Sequence, residues 1–500
     1  MPYAIGEVLN GVYDEDVGWR PASGAIKPVH VANGLFRALT GKYYDITRIV
    51  EVIVWEKRGQ PIEGRTANDL IDRYGDVFRA FRGQPERLNS TRQFLRGILA
   101  ADGAVFPSAD QSSLTLASPL MISPDKNDRG VGEFAAQLLG NASEPGTLAY
   151  VVREVLDPER PEDPLTAAAW PLLPEPTSGR SVTSQGPIGA LSQPHAVEIV
   201  AALSEAARDL ATHEMAQGNR LRTLERAVHF AVAGTLAHAQ AISASGDLSA
   251  RIPALLAAES PKSSELSAAS ELSLDLIYRN FEEWLIMRLA HRIQTGQPLA
   301  IGGIALPRGL SEAEAISFLK DIRGAAREHP LPDAKTVEAR LRAFEEARHL
   351  ERGTIQAALA RALVTSYLTE FVSGGPQPFL QSLGRRAGIL YPYFQGRSRE
   401  KRLRPNVRVL DALVRACVRS GELVPLQEFL QRLWIRFGII VGGRVSVEPT
   451  DLDLLSANGI HVDPSALTTN VERFVDQLTE IGLARRHADN VTFVGDAYES

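Results

Sequence analysis

Seven cations fall in one short stretch, RRAGILYPYFQGRSREKRLRP: Arg385, Arg386, Arg397, Arg399, Lys401, Arg402 and Arg404. A single acid, Glu400, opposes them, and Tyr391, Tyr393 and Phe394 lie between them. Cations at this density can neutralise phosphates and release the counterions that nucleic acid carries. Interleaved rings can stack on bases or pack on sugars. The formal net charge of the chain is -6, so its mean field repels a polyanion and any such contact has to be local. A second, sparser group is formed by Arg485, Arg486 and His487, with Arg444 on a strand-like stretch before them. Two other readings of the long stretch stand beside nucleic-acid contact. One is an interdomain segment whose rings are buried and whose arginines pair with acids such as Glu345, Glu346 and Glu351; the other is a protein-binding site.

Other chemistry finds no support in the residue spacing. A phosphate-binding loop needs four residues between its glycines and then Lys-Ser/Thr, whereas Gly34 and Gly41 enclose six and Tyr43 stands where a magnesium-holding hydroxyl is required. The ten histidines form no i, i+4 pair and no HExxH, and His213, His229 and His238 read as structural residues of central helices. No G-x-S-x-G is present, and Pro124 spoils the helical turn that Ser123-Pro124-Asp125-Lys126 would need to act as S-x-x-K. Asp333-Ala334-Lys335 has the letters of a nuclease-type metal site but follows Pro330-Leu331-Pro332, so Asp333 reads as a helix N-cap. The one cysteine, Cys417, cannot form an intramolecular disulfide, and its apolar neighbours Leu410, Leu413 and Val414 make it a buried small residue. No catalytic residue, metal ligand or cofactor is therefore assigned.

These residues have to be positioned by elements that are mostly helical. At 500 residues, with 44% hydrophobic and 23% charged residues, the chain has the composition of an ordinary globular protein of several domains. Apolar residues at helical spacing mark Thr66–Phe81 and Ser90–Ala101; in the second the stripe is Phe94, Leu95, Ile98 and Leu99. Ile46–Trp55 suits either a strand or the start of a buried helix. Pro194–Gln217, Asn219–Ser243, Ser264–Gln294, Ser311–His329 and Ala334–Val372 are alanine-rich and helical, with Ser311 to Glu314 close to a capping box. Pro158–Pro187 holds seven prolines and reads as a linker or crossing segment. Towards the C-terminus, Val407–Ser420 and Val424–Arg436 read as helices and Gly438–Val447 as a strand. Thr450–Ala457 and Pro464–Ile481 are again helical, and 483–494 forms a hairpin.

Helix followed by hairpin occurs twice, at Ser90–Leu116 and at Pro464–Val494. The order resembles winged-helix domains generally, over about 90 C-terminal residues. The expected fold class is mainly α, a multidomain helical protein with winged-helix-like domains at the C-terminus and near the N-terminus. The expected division is an α/β domain at 1–150, a proline-rich segment at 151–192, a helical domain at 193–384, the basic segment at 385–405 and the C-terminal domain at 406–500.

The reading that follows is a non-enzymatic, DNA-associated adaptor or scaffold subunit, as in chromosome maintenance or in restriction and phage defence. DNA is its possible partner and other proteins, an ATPase or nuclease among them, its expected ones. Two alternatives remain: a protein-interaction subunit that holds such a partner without touching nucleic acid, and an enzyme whose site assembles only in three dimensions. No apolar run reaches the roughly 18 to 20 residues of a membrane span, and Met1–Asn10 shows no secretory pattern, so a cytoplasmic location without membrane partners is expected.

Overall fold

The recurring local device is a helix start closed by its own side chains. Thr66, Ser311 and Thr450 each accept from the backbone N–H three residues on, and Asp69, Glu314 and Asp453 reach back to the cap. Asp333 accepts from Thr336 N at 2.8 Å, as its position before a helix requires. The computed structural model describes residues 4–21, 26–57, 59–99, 122, 129–156, 170–178, 189–216, 220–258, 261, 264–297, 310–326, 329–350, 354–371, 374–393, 401–444, 446–487 and 491–496. Within them the protein is mainly helical, with short two- to four-residue strands. No helix among the described residues is long and apolar enough to cross a membrane.

The chain divides into two units: Met1–Ile26, Pro187–Leu210 and Ala233–Ser500 form the first, and Lys27–Gly186 with Ala211–Val232 the second. Residues 406–500 do not stand apart from those at 233–405. Strand Ile439–Ile440 pairs in parallel with Ala254–Leu255. Buried Asn470 donates to the carbonyls of Leu256 (2.7 Å) and Val441 (2.8 Å) and accepts from Ala258 N at 2.9 Å. Leu255, Trp434, Ile440, Leu454, Leu455, Ile460 and Leu467 share one apolar cluster around these bonds. Each such aliphatic side chain contributes about 1.5–3 kcal/mol on burial.

In the first unit the helix Glu265–Thr295 buries Leu274, Ile277, Phe281, Leu285 and Leu289 at three- and four-residue spacing, while Glu265, Arg279, Glu283 and His291 lie exposed. Apolar residues at that spacing form the face a helix turns to a core. Ala334–Leu350 and Ile355–Glu370 pack as a pair, with Arg340 buried between elements. Its guanidinium holds Glu370 through both oxygens (2.6 and 2.8 Å) and donates to Ile322 O at 2.6 Å. In the stretch read as helical over Ala334–Val372, Ala334–Leu350 and Ile355–Glu370 are helices. Gly438 ends the helix Leu426–Phe437 at φ +65° and lies against Gln240, which leaves no space for a side chain.

The C-terminal part of this unit runs helix Val407–Arg415, strand Leu423–Pro425, helix Leu426–Phe437, strand Ile439–Ile440, helix Asp451–Ala457, helix Pro464–Glu480 and hairpin Ala484–Arg486/Thr492–Gly495. The hairpin registers Arg485 opposite Phe493, and the strand Leu423–Pro425 adds to its second limb with Val424 opposite Val494. Leu423–Pro425 is a strand where the sequence pattern suggested the start of a helix; Pro425 lacks the N–H a helix interior needs and serves as the N-cap instead. Of the strand expected at Gly438–Val447, Ile439–Ile440 forms one.

In the second unit Thr47–Ile53 is a helix, which settles the open choice for Ile46–Trp55. The helix expected over Thr66–Phe81 stops at Arg73, because Tyr74-Gly75 turns the chain, and resumes as one 3-10 turn at Arg79–Phe81. Pro85–Leu99 is a helix, and Ile49, Val52, Leu70, Ile71, Phe78, Leu88 and Leu95 form a common core. Phe94 does not join it and is 64% exposed. The hairpin expected at 104–116 lies outside the described residues.

Candidate nucleic-acid interface

The basic segment is built on two short strands of the first unit. Leu390–Tyr391 pairs antiparallel with Arg402–Leu403, with Leu390 opposite Leu403 and Tyr391 opposite Arg402. Opposed residues share a face and neighbours alternate, so both leucines turn into the core while Tyr391 and Arg402 lie together on the other side. Arg402 and Arg404 place their guanidinium carbons 4.9 and 5.0 Å from the Tyr391 ring centre. Tyr393 stands edge-on to Tyr391 at 5.3 Å and donates its hydroxyl to Arg404 O at 2.8 Å. Lys401 donates to Pro392 O (3.2 Å), Arg385 to Tyr393 O (3.2 Å) and Arg386 to Ile26 O (3.0 Å).

Positive charge accumulates in this arrangement. Burial, and then the charge of Arg385, lowers the Lys401 ammonium from its ordinary value. Burial also lowers Arg385, and burial followed by the charge of Arg404 lowers Arg402, on which Glu271 acts in the opposite sense. Lys401 and Arg402 are buried, whereas Arg385, Arg386 and Arg404 are partly exposed. Arg397 and Arg399 lie outside the described residues. The sequence pattern does not reveal the burial of Lys401 and Arg402, which comes from contacts distant in sequence.

The other candidate residues fall elsewhere. Arg444 is buried and bonded to Asp451 at 2.6 Å and to Gln431 at 2.7 Å, so it presents no charge to a phosphate. It lies 5.1 Å from the Trp434 ring centre, and Arg251 lies 4.5 Å from the same centre. Arg485 and Arg486 are exposed on the hairpin, with Arg486 bridged to Asp476 at 2.8 Å. Asp476 belongs to the helix Pro464–Glu480, whose exposed residues include Glu472 and Glu480 as well as Thr468, Thr469 and Arg473. Asn470, which the sequence pattern puts with those surface residues, is buried.

A charged constellation that sequence spacing did not reveal lies at the π-helical turn Tyr13–Val17. Buried Asp16 holds Arg288 at 2.7 Å and Arg292 at 3.0 Å, Glu15 also meets Arg292 at 3.0 Å, and the His195 ring bonds to Asp16 O at 2.8 Å. Trp19 Nε1 donates to Nδ1 of His238 at 3.3 Å, and burial followed by the charge of His195 pulls His238 down to about 3. With both carboxylate oxygens of Asp16 engaged by guanidinium groups, the arrangement ties the turn to the helix Glu265–Thr295. Its members are scattered along the sequence, and the π-helical turn has no residue signature that would have drawn attention to it. Cys417 is buried, and that burial raises its thiol to about 12. Among the described residues no group of three or more His, Cys, Asp or Glu side chains could hold a metal ion.

No protein-family model, curated protein or solved structure matches this chain.

Proposed function

We propose that the chain is a non-enzymatic, DNA-associated adaptor subunit of a multiprotein assembly, of the kind that maintains chromosomes or restricts foreign DNA, and that Arg385–Arg404 supplies its main contact with the polyanion. The observation that carries this reading is the convergence of Arg385, Lys401, Arg402 and Arg404 around Tyr391 and Tyr393, with Arg385, Lys401 and Arg402 held below their ordinary pKa values. An anion beside such a group favours its charged form, so phosphate binding relieves what burial and mutual repulsion impose. Tyr391 is already flanked by two arginines and Tyr393 is engaged with it, which favours contact with the phosphate backbone over base stacking and so binding with little sequence preference. The order helix, strand, helix, two-residue strand, two helices and hairpin, with the first strand added to the hairpin, supports a winged-helix-like reading of the C-terminal part. Fluorescence anisotropy with a labelled random-sequence duplex tests the proposal: binding at low salt that weakens steeply as salt rises is the expected result, and absence of binding at low salt contradicts it.

A second reading, docking of a protein partner on the C-terminal part, is favoured by one observation. The helix that would enter the major groove exposes Glu472, Asp476 and Glu480, and Asp476 holds Arg486 of the hairpin. Winged-helix domains serve protein contacts as well as DNA, and an acidic face here suits a basic protein surface better than a phosphate backbone. Crosslinking from Glu472 and Glu480 to a co-purified protein, undiminished by nuclease treatment, is the outcome that this reading requires.

A further inference from the structure

The second unit holds three exposed arginines that its own acids do not answer. The helix Pro85–Leu99 follows the 3-10 turn Arg79–Phe81, and from Arg79 to Arg96 the sequence has five arginines and one acid, Glu86. Two of the five are spent on the fold: Arg92 is buried and donates to Val52 O at 2.8 Å, and Arg96 bridges Glu56 at 3.1 Å. Arg79, Arg82 and Arg87 are exposed and bridge no carboxylate among the described residues. Turns closed by Arg82 N to Arg79 O (3.4 Å) and by Arg87 N to Gln84 O (3.1 Å) keep them close along the chain. Gly75 gives Arg82 its seat, since a Cβ there would come within 3.1 Å of the Arg82 guanidinium.

Phe94 adds an aromatic ring to this face. Among its described side chains the helix buries Leu88, Arg92 and Leu95, whereas Phe94 is 64% exposed. It comes seven residues after Arg87, two turns on along the same side of the helix and about 10 Å further along its axis. A ring so exposed gains little from the core. Beside cations it offers what an unpaired nucleotide can use, a stacking face for the base and positive charge for the flanking phosphates. The bases of a duplex are already stacked on one another, so only a single strand can reach the ring. We propose that Arg79, Arg82, Arg87 and Phe94 form a binding surface for single-stranded nucleic acid, in which a base stacks on Phe94 and the arginines meet phosphates. This surface is distinct from the duplex contact at Arg385–Arg404 and stands or falls separately.

The test measures the anisotropy of a labelled oligothymidine and of a labelled duplex with the full chain. Phe94→Ala should weaken oligothymidine binding at least about fivefold, the low end for loss of one base–aromatic stack, and leave duplex affinity unchanged. Three phosphate contacts contribute about 2 to the slope of log affinity against log salt for a single strand. Replacing Arg79, Arg82 and Arg87 by alanine should therefore flatten the oligothymidine slope by that amount, and lysine at the same positions should restore it. All four side chains are exposed, so the variants should unfold at the same temperature as the parent. Equal oligothymidine affinity in Phe94→Ala and the parent would overturn the proposal, as would an unchanged slope in the triple alanine variant. So would a dimer that Phe94→Ala disperses, which would assign the ring to a second copy of the chain.

Discussion

Two rings in the first unit, Trp434 and Tyr391, each carry a pair of arginines, and the pairs have opposite surroundings. At Trp434 both guanidinium groups are buried. Arg444 has the carboxylate of Asp451 at 2.6 Å, while Arg251 donates to Ile435 O at 2.7 Å, with its remaining charge resting on the ring. Burial and the charge of Arg444 pull Arg251 down to about 9. At Tyr391, Arg402 is buried but Arg404 is partly exposed, with Arg385 and Lys401 close by. Arginine on an aromatic ring is thus a core contact in one place and part of a half-open cationic surface in the other. Whether solvent reaches the charge separates the two; the residue types alone do not.

That difference can be broken first at the buried ring. Asp451→Ala leaves Arg444 buried without its carboxylate, and removal of one partner of a buried pair typically costs about 3–5 kcal/mol. Calorimetric unfolding should show a loss of that order, and a change under about 1 kcal/mol would mean that Arg444 finds solvent or another acid. Tyr391→Leu at the half-open ring should destabilise by only about 1 kcal/mol, since cation–π contacts near solvent are each worth about 0.5–1 kcal/mol. An effect as large as that of Asp451→Ala would place Tyr391 in the core and undo the contrast.

The pH dependence sharpens the same comparison. The folded pKa of Lys401 is below its unfolded value, so the folded state disfavours the charged ammonium. Near neutral pH both states carry the proton and the penalty is fully present. As pH rises through the lowered folded value towards the ordinary lysine value, the unfolded state retains more protons, and stability contributed by this group increases. Denaturant titrations between neutral and alkaline pH should show that rise flattened in Lys401→Met, and an identical profile in parent and variant would remove Lys401 from the cationic cluster. The smallest effect is expected from Arg251→Met. An apolar replacement of a buried cation without an acid partner is typically close to neutral, so a change within about 1 kcal/mol is expected, and a loss like that of Asp451→Ala would show that the ring contact is essential.

Local signals were readable wherever the cause was local. Ser311 and Glu314 announce their helix, Asp333 caps its own, and Gly482-Leu483 and Val491–Val494 frame a hairpin, because caps and turns depend on residues a few positions apart. Asn470 was not readable: a polar residue on an amphipathic helix looks exposed until the carbonyls of Leu256 and Val441 arrive from distant parts of the chain. Phe94 fits an apolar stripe in the sequence and is exposed in the fold, since periodicity does not say how wide the buried face will be. For the basic segment, composition revealed the charge, but not that Tyr391 pairs with Arg402 or that Lys401 and Arg402 are buried. The fate of Arg444 likewise depends on Asp451 and Trp434, contacts that a charge count does not contain.

The central claim is that the surface around Tyr391 meets phosphate whereas the stack on Trp434 does not. Its most direct test is the salt dependence of duplex binding by the parent and by a variant with Arg385, Arg397, Arg399 and Arg404 replaced by alanine, with folding verified by circular dichroism. If about four cations meet phosphates, log affinity in the parent should fall against log salt with a slope of roughly -3 to -4, and the variant should flatten it towards zero. Arg485→Ala with Arg486→Ala should change the slope less. A fourfold variant that binds as tightly as the parent, with the same slope, would contradict the claim and leave the basic segment a structural feature of the first unit.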